Sequence, residues 1–160
     1  MGEALQTFTV TMPPNVAADY PVSQGVHKDC FGNRNDLPAA YVVFSPTFHY
    51  DANEGLYVGG QFWDGRAADL AEQAKGPFLN PLEMSNPDAK AVVERVCKSE
   101  YADLFRKVFG KATFDDSNKA FDMVAEAIAD YKKSSELNQF NSKYDLYLAG
   151  KVALTEQERT

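Results

Sequence analysis

The sequence is poor in the residues that most often announce chemistry: two cysteines, two histidines and one tryptophan in 160 residues. Cys30 and Cys97 lie too far apart to form a Cys-x-x-Cys metal or redox pair. That leaves either a disulfide between them or, as the favoured expectation, two free thiols. A structural zinc site wants four ligands, and His27-Lys28-Asp29-Cys30 offers one pair without a second. Positive charge is also scarce, with 16 Lys and Arg against 23 Asp and Glu, a net charge of −7 and a pI near 4.8. Nucleic acid is not an expected partner, because phosphate binding needs clustered cations. An acidic surface instead suits small substrates or a basic partner protein. No apolar run approaches the roughly 18 residues that cross a bilayer, so no membrane span is expected. The opening MGEALQTFTVTMPPN lacks the basic and apolar regions of an export signal. A glycine-rich phosphate loop, a Gly-x-Ser-x-Gly elbow and a His-Glu-x-x-His helix are all missing.

What the chain does have is apolar and aromatic content, 44% and 12% of its residues, enough for one folded domain. The expected fold class is mainly α: a bundle of four or five helices, preceded by a long, irregular, aromatic-rich loop region. Residues 1–19 read as an N-terminal arm, with alternating Phe8 and Val10 making a short strand over 6–12 that ends at Pro13-Pro14. Residues 15–60 carry no sustained helical period. Loops of that length inside a domain are usually functional or wrapped round something. From Asp64 onward the pattern turns helical, first through Ala67, Leu70, Ala71 and Ala74. Asn86 with Pro87 opens a second helix that buries Val92, Val93 and Val96. A third runs from Ser99 to Gly110 with Tyr101, Leu104, Phe105 and Phe109 as its stripe. The longest spans Ser117 to Ser134, on Phe121, Val124, Ile128 and Tyr131. Ser142 begins a short helix ended by Gly150. Thr155 and Glu158 then form a capping box with almost no chain behind it, which suits either a continuing natural protein or a frayed tail.

Three features could carry chemistry. Glu83 sits in a loop between Leu82 and Met84, and a carboxylate held beside apolar groups is one way to make a proton shuttle; a solvated loop glutamate is the plainer alternative. Trp63, before Asp64-Gly65-Arg66, reads first as a core anchor whose neighbours cap the next helix, and second as an aromatic placed between cofactors. His27 and His49 could each ligate a metal or haem iron, or be ordinary loop histidines.

The two motifs Phe62-Trp63-Asp64-Gly65-Arg66-Ala67 and Asn80-Pro81-Leu82-Glu83-Met84 resemble the amino-terminal domain of the bacterial di-haem cytochrome c peroxidases, a family that includes the MauG enzymes. The resemblance extends through Pro21 to His27, Gly32 to Asn35, Phe140 to Gly150 and Leu154 to Glu158, covering residues 20–160 as one domain. It implies a cytochrome-c-like helical fold, a periplasmic location, haem c, and reduction of hydrogen peroxide with electrons from a small cytochrome or cupredoxin. Residue by residue, it implies that Glu83 is the acid/base in O–O cleavage, that Gln73 sits near the glutamine of the same pocket, and that Trp63 lies between two haems. His27 matches a histidine that ligates the peroxidatic haem in the resting state, and His49 is the other candidate haem ligand. Asn35 matches an asparagine near a calcium ion shared by two domains, although Asp36-Leu37-Pro38 departs from the usual continuation. A homodimer is left open.

The main departure is the lack of any Cys-x-x-Cys-His, which covalent haem attachment requires. Two expectations follow. Either the chain is a segment of a larger di-haem protein, working with a second haem-bearing domain or chain, or it is a haem-free binding or structural module that keeps the fold. Noncovalent haem on His27 or His49 is a third, weaker reading.

Overall fold

In the computed structural model, which describes residues 22–159, the first α-helix is α1, Leu70–Leu79. It begins later than Asp64. The Gln61 N–H donates to the Ala67 carbonyl at 2.7 Å, so Ala67 is buried in a closed turn ahead of the helix. The helix is capped by Asp69, whose side chain accepts from the Glu72 N–H at 2.8 Å. Pro77 lies inside α1 and brings no N–H to the Gln73 carbonyl, and the helix stops two residues later, at Leu79.

Helix α2, Ala89–Cys97, is capped by Asp88 rather than by Asn86. Asn86 is turned inward and buried, and both its N–H and its Nδ2 donate to the Phe78 carbonyl, at 3.0 and 2.8 Å. Helix α3, Ala102–Phe109, buries Ala102 and Phe105, but Tyr101 and Leu104 face outward, so its apolar stripe is narrower than its sequence suggests. Helix α4, Ser117–Lys132, is capped by Asp116 and buries Phe121 and Val124 as expected, while Tyr131 is exposed. Helix α5, Lys143–Leu148, has the full Ser142/Asp145 capping box. At Thr155 the capping groups close only a turn: Glu158 Oε2 accepts from the Thr155 N–H and hydroxyl and pairs with Lys143 at 2.7 Å.

The core forms where α1 and α2 pack on α4. Helix α1 runs antiparallel to α4, since Gln73 meets Lys132 at one end while Phe78 meets Phe121 toward the other. Val92, Val93, Ala120 and Phe121 make one buried cluster, and Val96, Phe105 and Val124 make a second. Ala120 and Ala125 have no exposed surface, and such small side chains let neighbouring helices approach closely.

The irregular, aromatic-rich region also contains a strand pair that its sequence did not announce. Strands β1 (His49–Asp51) and β2 (Leu56–Val58) pair antiparallel, with Tyr50 opposite Tyr57. Asp51 closes their turn by accepting from the Asn53 and Glu54 amides. Phe48 stacks on Tyr57 with centroids 5.3 Å apart, and Tyr41 and Phe44 meet Phe140 edge-on, which ties the loops to the segment before α5. Cys30 and Cys97 are free thiols. The strand expected over 6–12 and the arm over 1–19 lie outside the described residues. Among those residues, no helix is long and apolar enough to cross a membrane.

Candidate functional site

The loop after α1 is built around Asn80. Its Oδ1 accepts from the Leu82 N–H at 3.0 Å, and its carbonyl accepts from the Glu83 and Ser85 amides, each at 3.0 Å. Its Nδ2 donates to Glu83 Oε1 at 2.7 Å. One residue thereby sets both the backbone and the carboxylate of Glu83, and Glu83 Oε2 keeps no hydrogen-bond partner among the described residues. A second segment locks the loop from outside, where the Val26 N–H donates to the Glu83 carbonyl at 2.7 Å. That approach depends on Gly25, because a Cβ there would lie 2.1 Å from the Leu82 oxygen.

Trp63 is no core anchor. It is 63% exposed and is held by its indole N–H, which donates to the Asn35 carbonyl at 2.8 Å. Asp64 does not cap α1 either. It accepts from Arg66 at 2.9 Å and from Arg34 at 2.9 Å. Desolvation opposes ionisation of Asp64, but the hydrogen bonds from Arg66 and Arg34 outweigh it and hold the carboxyl below its ordinary value. The Arg66 guanidinium also lies 3.7 Å from the centre of the Phe62 ring.

These pieces face one open cavity of about 800 Å³. Arg34, Asn35, Trp63, Gln73, Glu83 and Met84 all line it. Lys132, at the end of α4, also reaches it and donates to Gln73 Oε1 at 2.5 Å. Burial lowers the Lys132 ammonium from its ordinary pKa. Of the residues singled out in the sequence, Glu83, Gln73, Trp63 and Asn35 are thus brought together. The two histidines are not among the lining residues. His27 stands beside the cavity, with Nε2 3.2 Å from the Ser85 hydroxyl, and His49 lies on the hairpin with Nδ1 2.8 Å from the Thr47 carbonyl. No group of three or more His, Cys, Asp or Glu side chains suited to a metal ion occurs among the described residues. Asn80 and Lys132 escaped the sequence reading as site residues. Lys132 had left a signal: it falls on the same face of α4 as Phe121, Ala125 and Ile128, where a charge is out of pattern.

The model of the di-haem cytochrome c peroxidase family matches residues 11–153. The chain belongs to that family. It is 44% identical over 149 residues to the methylamine utilization protein MauG of Paracoccus denitrificans, covering 92% of this chain and 38% of that protein. It is 46% identical over 98 residues to the cytochrome c551 peroxidase of Pseudomonas aeruginosa, covering 59% of this chain and 26% of that protein. Its fold is similar to the crystal structure of the diheme peroxidase BthA from Burkholderia thailandensis, with a TM-score of 0.79 and 33% identity over 87% of this chain and 33% of that one. The chain therefore spans between 26% and 38% of the length of these relatives.

The cavity residues fit part of a haem environment. The volume lies within the usual range for small-molecule and cofactor sites. Trp63, Pro77 and Met84 offer surface for a flat apolar ring, and Arg34 and Arg95 supply cations that suit its carboxylates. None of the lining residues is a histidine or a cysteine, so the Met84 thioether is the one axial-ligand type that they offer.

Proposed function

We propose that this chain supplies the proton-handling wall of the peroxide site in a di-haem peroxidase-like protein of the periplasm. The observation that carries this reading is Glu83, held by Asn80 on the same cavity as Trp63 and Gln73, in a chain of this family. Trp63, Pro77 and Met84 would hold one side of the haem. When bound, haem supplies the iron and the electrons for reductive cleavage of the peroxide O–O bond. The net reaction consumes one hydrogen peroxide, two electrons and two protons and yields two waters, with the electrons coming from a small cytochrome or cupredoxin.

In this reading Glu83 Oε2 takes a proton from one peroxide oxygen and returns it to the other as that oxygen leaves as water. Asn80 keeps Oε1 occupied, so the free oxygen is the one presented to substrate. Gln73 helps orient the peroxide, and Trp63 marks the route by which electrons enter. Calcium near Asn35 and ligation by His27 belong to the same proposal. So does a second haem-bearing domain or chain that completes the site.

The test begins with haem uptake, either by haem addition or by mixing with haem-bearing segments. A Soret band is expected, together with peroxide turnover that falls about 10²- to 10⁴-fold in Glu83→Gln, the usual range for loss of a general acid/base. If no haem is taken up under either condition, the peroxidase reading fails and the chain is a haem-free module of the same fold.

A further inference from the structure

Lys132 is an anomaly of packing. The apolar face of α4, through Phe121, Ala125 and Ile128, runs into it, and an aliphatic side chain there would complete the stripe. The ammonium is half-buried, and no carboxylate lies within ion-pair distance of it among the described residues. A desolvated charge without a counter-charge costs folding free energy. Its compensation is a single short hydrogen bond to Gln73 Oε1 at 2.5 Å.

An ammonium has three donors and no acceptor, whereas a glutamine amide carries an accepting oxygen and a donating NH2 group on the two arms of one planar fork. Facing Lys132, the Gln73 amide must therefore present its oxygen to α4. The NH2 group is then turned the other way. With an aliphatic residue at 132 nothing would choose between the two orientations of the amide. A charge-assisted bond in a partly desolvated position is among the stronger ways to make that choice.

We propose that Lys132 is a positioning residue, which locks the Gln73 side chain so that the cavity receives the amide NH2 as a hydrogen-bond donor and not the carbonyl oxygen. The ligand class this selects is a small molecule with an oxygen lone pair to donate into, such as hydrogen peroxide or the hydroperoxide anion. Glu83 Oε2 supplies the complementary acceptor on the same cavity. The choice of ligand rests on the peroxide reading above; the lock itself does not.

The lock is tested first on the haem-free chain. The Lys132 ammonium should give a slowly exchanging 15N resonance with a nuclear Overhauser contact to the Gln73 side chain, and Gln73→Leu should abolish it. An ammonium that exchanges as fast in the wild type as in Gln73→Leu overturns the lock. Lys132→Met should melt no lower than the wild type, since it removes a buried charge; a markedly lower Tm would mean that Lys132 is structural and would overturn the proposal.

The consequence is read in the haem-loaded protein. Lys132→Met should lower kcat/KM for hydrogen peroxide about tenfold, the effect of losing one well-placed hydrogen bond, and Lys132→Arg should restore most of it, because a guanidinium also donates without accepting. If the wild type turns over peroxide and Lys132→Met matches it, the positioning role is overturned. If the haem-loaded wild type turns over no peroxide, the peroxide reading falls, while the ammonium resonance still decides the lock.

Discussion

Gly25 sets the position of Glu83 without touching its side chain. The backbone at Gly25 and Val26 lies directly on that of Leu82 and Glu83, and the Val26 N–H is bonded to the Glu83 carbonyl at 2.7 Å. An alanine Cβ at 25 would sit 2.1 Å from the Leu82 oxygen, and the atoms it meets are backbone, which cannot swing aside. Gly25→Ala is therefore expected to push the two segments apart and lower stability by about 1–3 kcal/mol, the usual range for overpacking. A thermal or denaturant melt checks this, and faster amide exchange at Val26 should accompany the loss. An unchanged melt would show that the 24–26 segment does not constrain the Glu83 loop.

At the scale of the elements, periodicity made the helices legible, but their ends were decided by competition between polar groups. Asn86 and Asp88 flank Pro87, and either can cap a helix in principle. The Phe78 carbonyl needs donors, which an amide has and a carboxylate lacks, so Asn86 turns inward. Asp88 then takes the helix N-terminus, where a negative charge is favoured, and accepts from the Ala91 N–H at 2.8 Å. Asp88→Ala is accordingly expected to destabilise the protein by about 1 kcal/mol, the cost of a lost cap, with urea unfolding as the measurement and with Asp88→Ser keeping most of the stability. The same competition explains why α1 starts at Leu70: the Gln61–Ala67 bond closes a turn before helical geometry can begin. The β1–β2 hairpin was illegible for a different reason, since each strand spans only three residues, too few for alternation to stand out.

Across the whole molecule, the helical layer and the loop layer differ in what holds them, and this decides how much of the site a sequence can reveal. Glu83, Gln73, Trp63 and Asn35 could be named from motifs, but what brings them to one cavity is polar and long-range: Asn80 to Glu83, Trp63 to the Asn35 carbonyl, Lys132 to Gln73. Such bonds leave no period in the chain. They also make the loop layer sensitive to pH. Asp64 binds Arg34 from the loop and Arg66 from its own turn, one residue from the Trp63–Asn35 bond. Its carboxyl is held below the ordinary 3.8, so the stability it contributes is present above that value and is lost as pH falls through the lower, folded-state value. The cores of α2 and α4 are buried valine, alanine and phenylalanine, which do not titrate. Acidification below the ordinary carboxylate range should thus lower the protection of the Arg66 amide and the Trp63 indole N–H, measured against their intrinsic exchange at each pH, before it affects α4, and Asp64→Asn should bring that lower protection to neutral pH. Protection of those two groups that is as high in Asp64→Asn as in the wild type would show that the loop layer is held by its aromatic contacts instead, through Tyr41, Phe44 and Phe140.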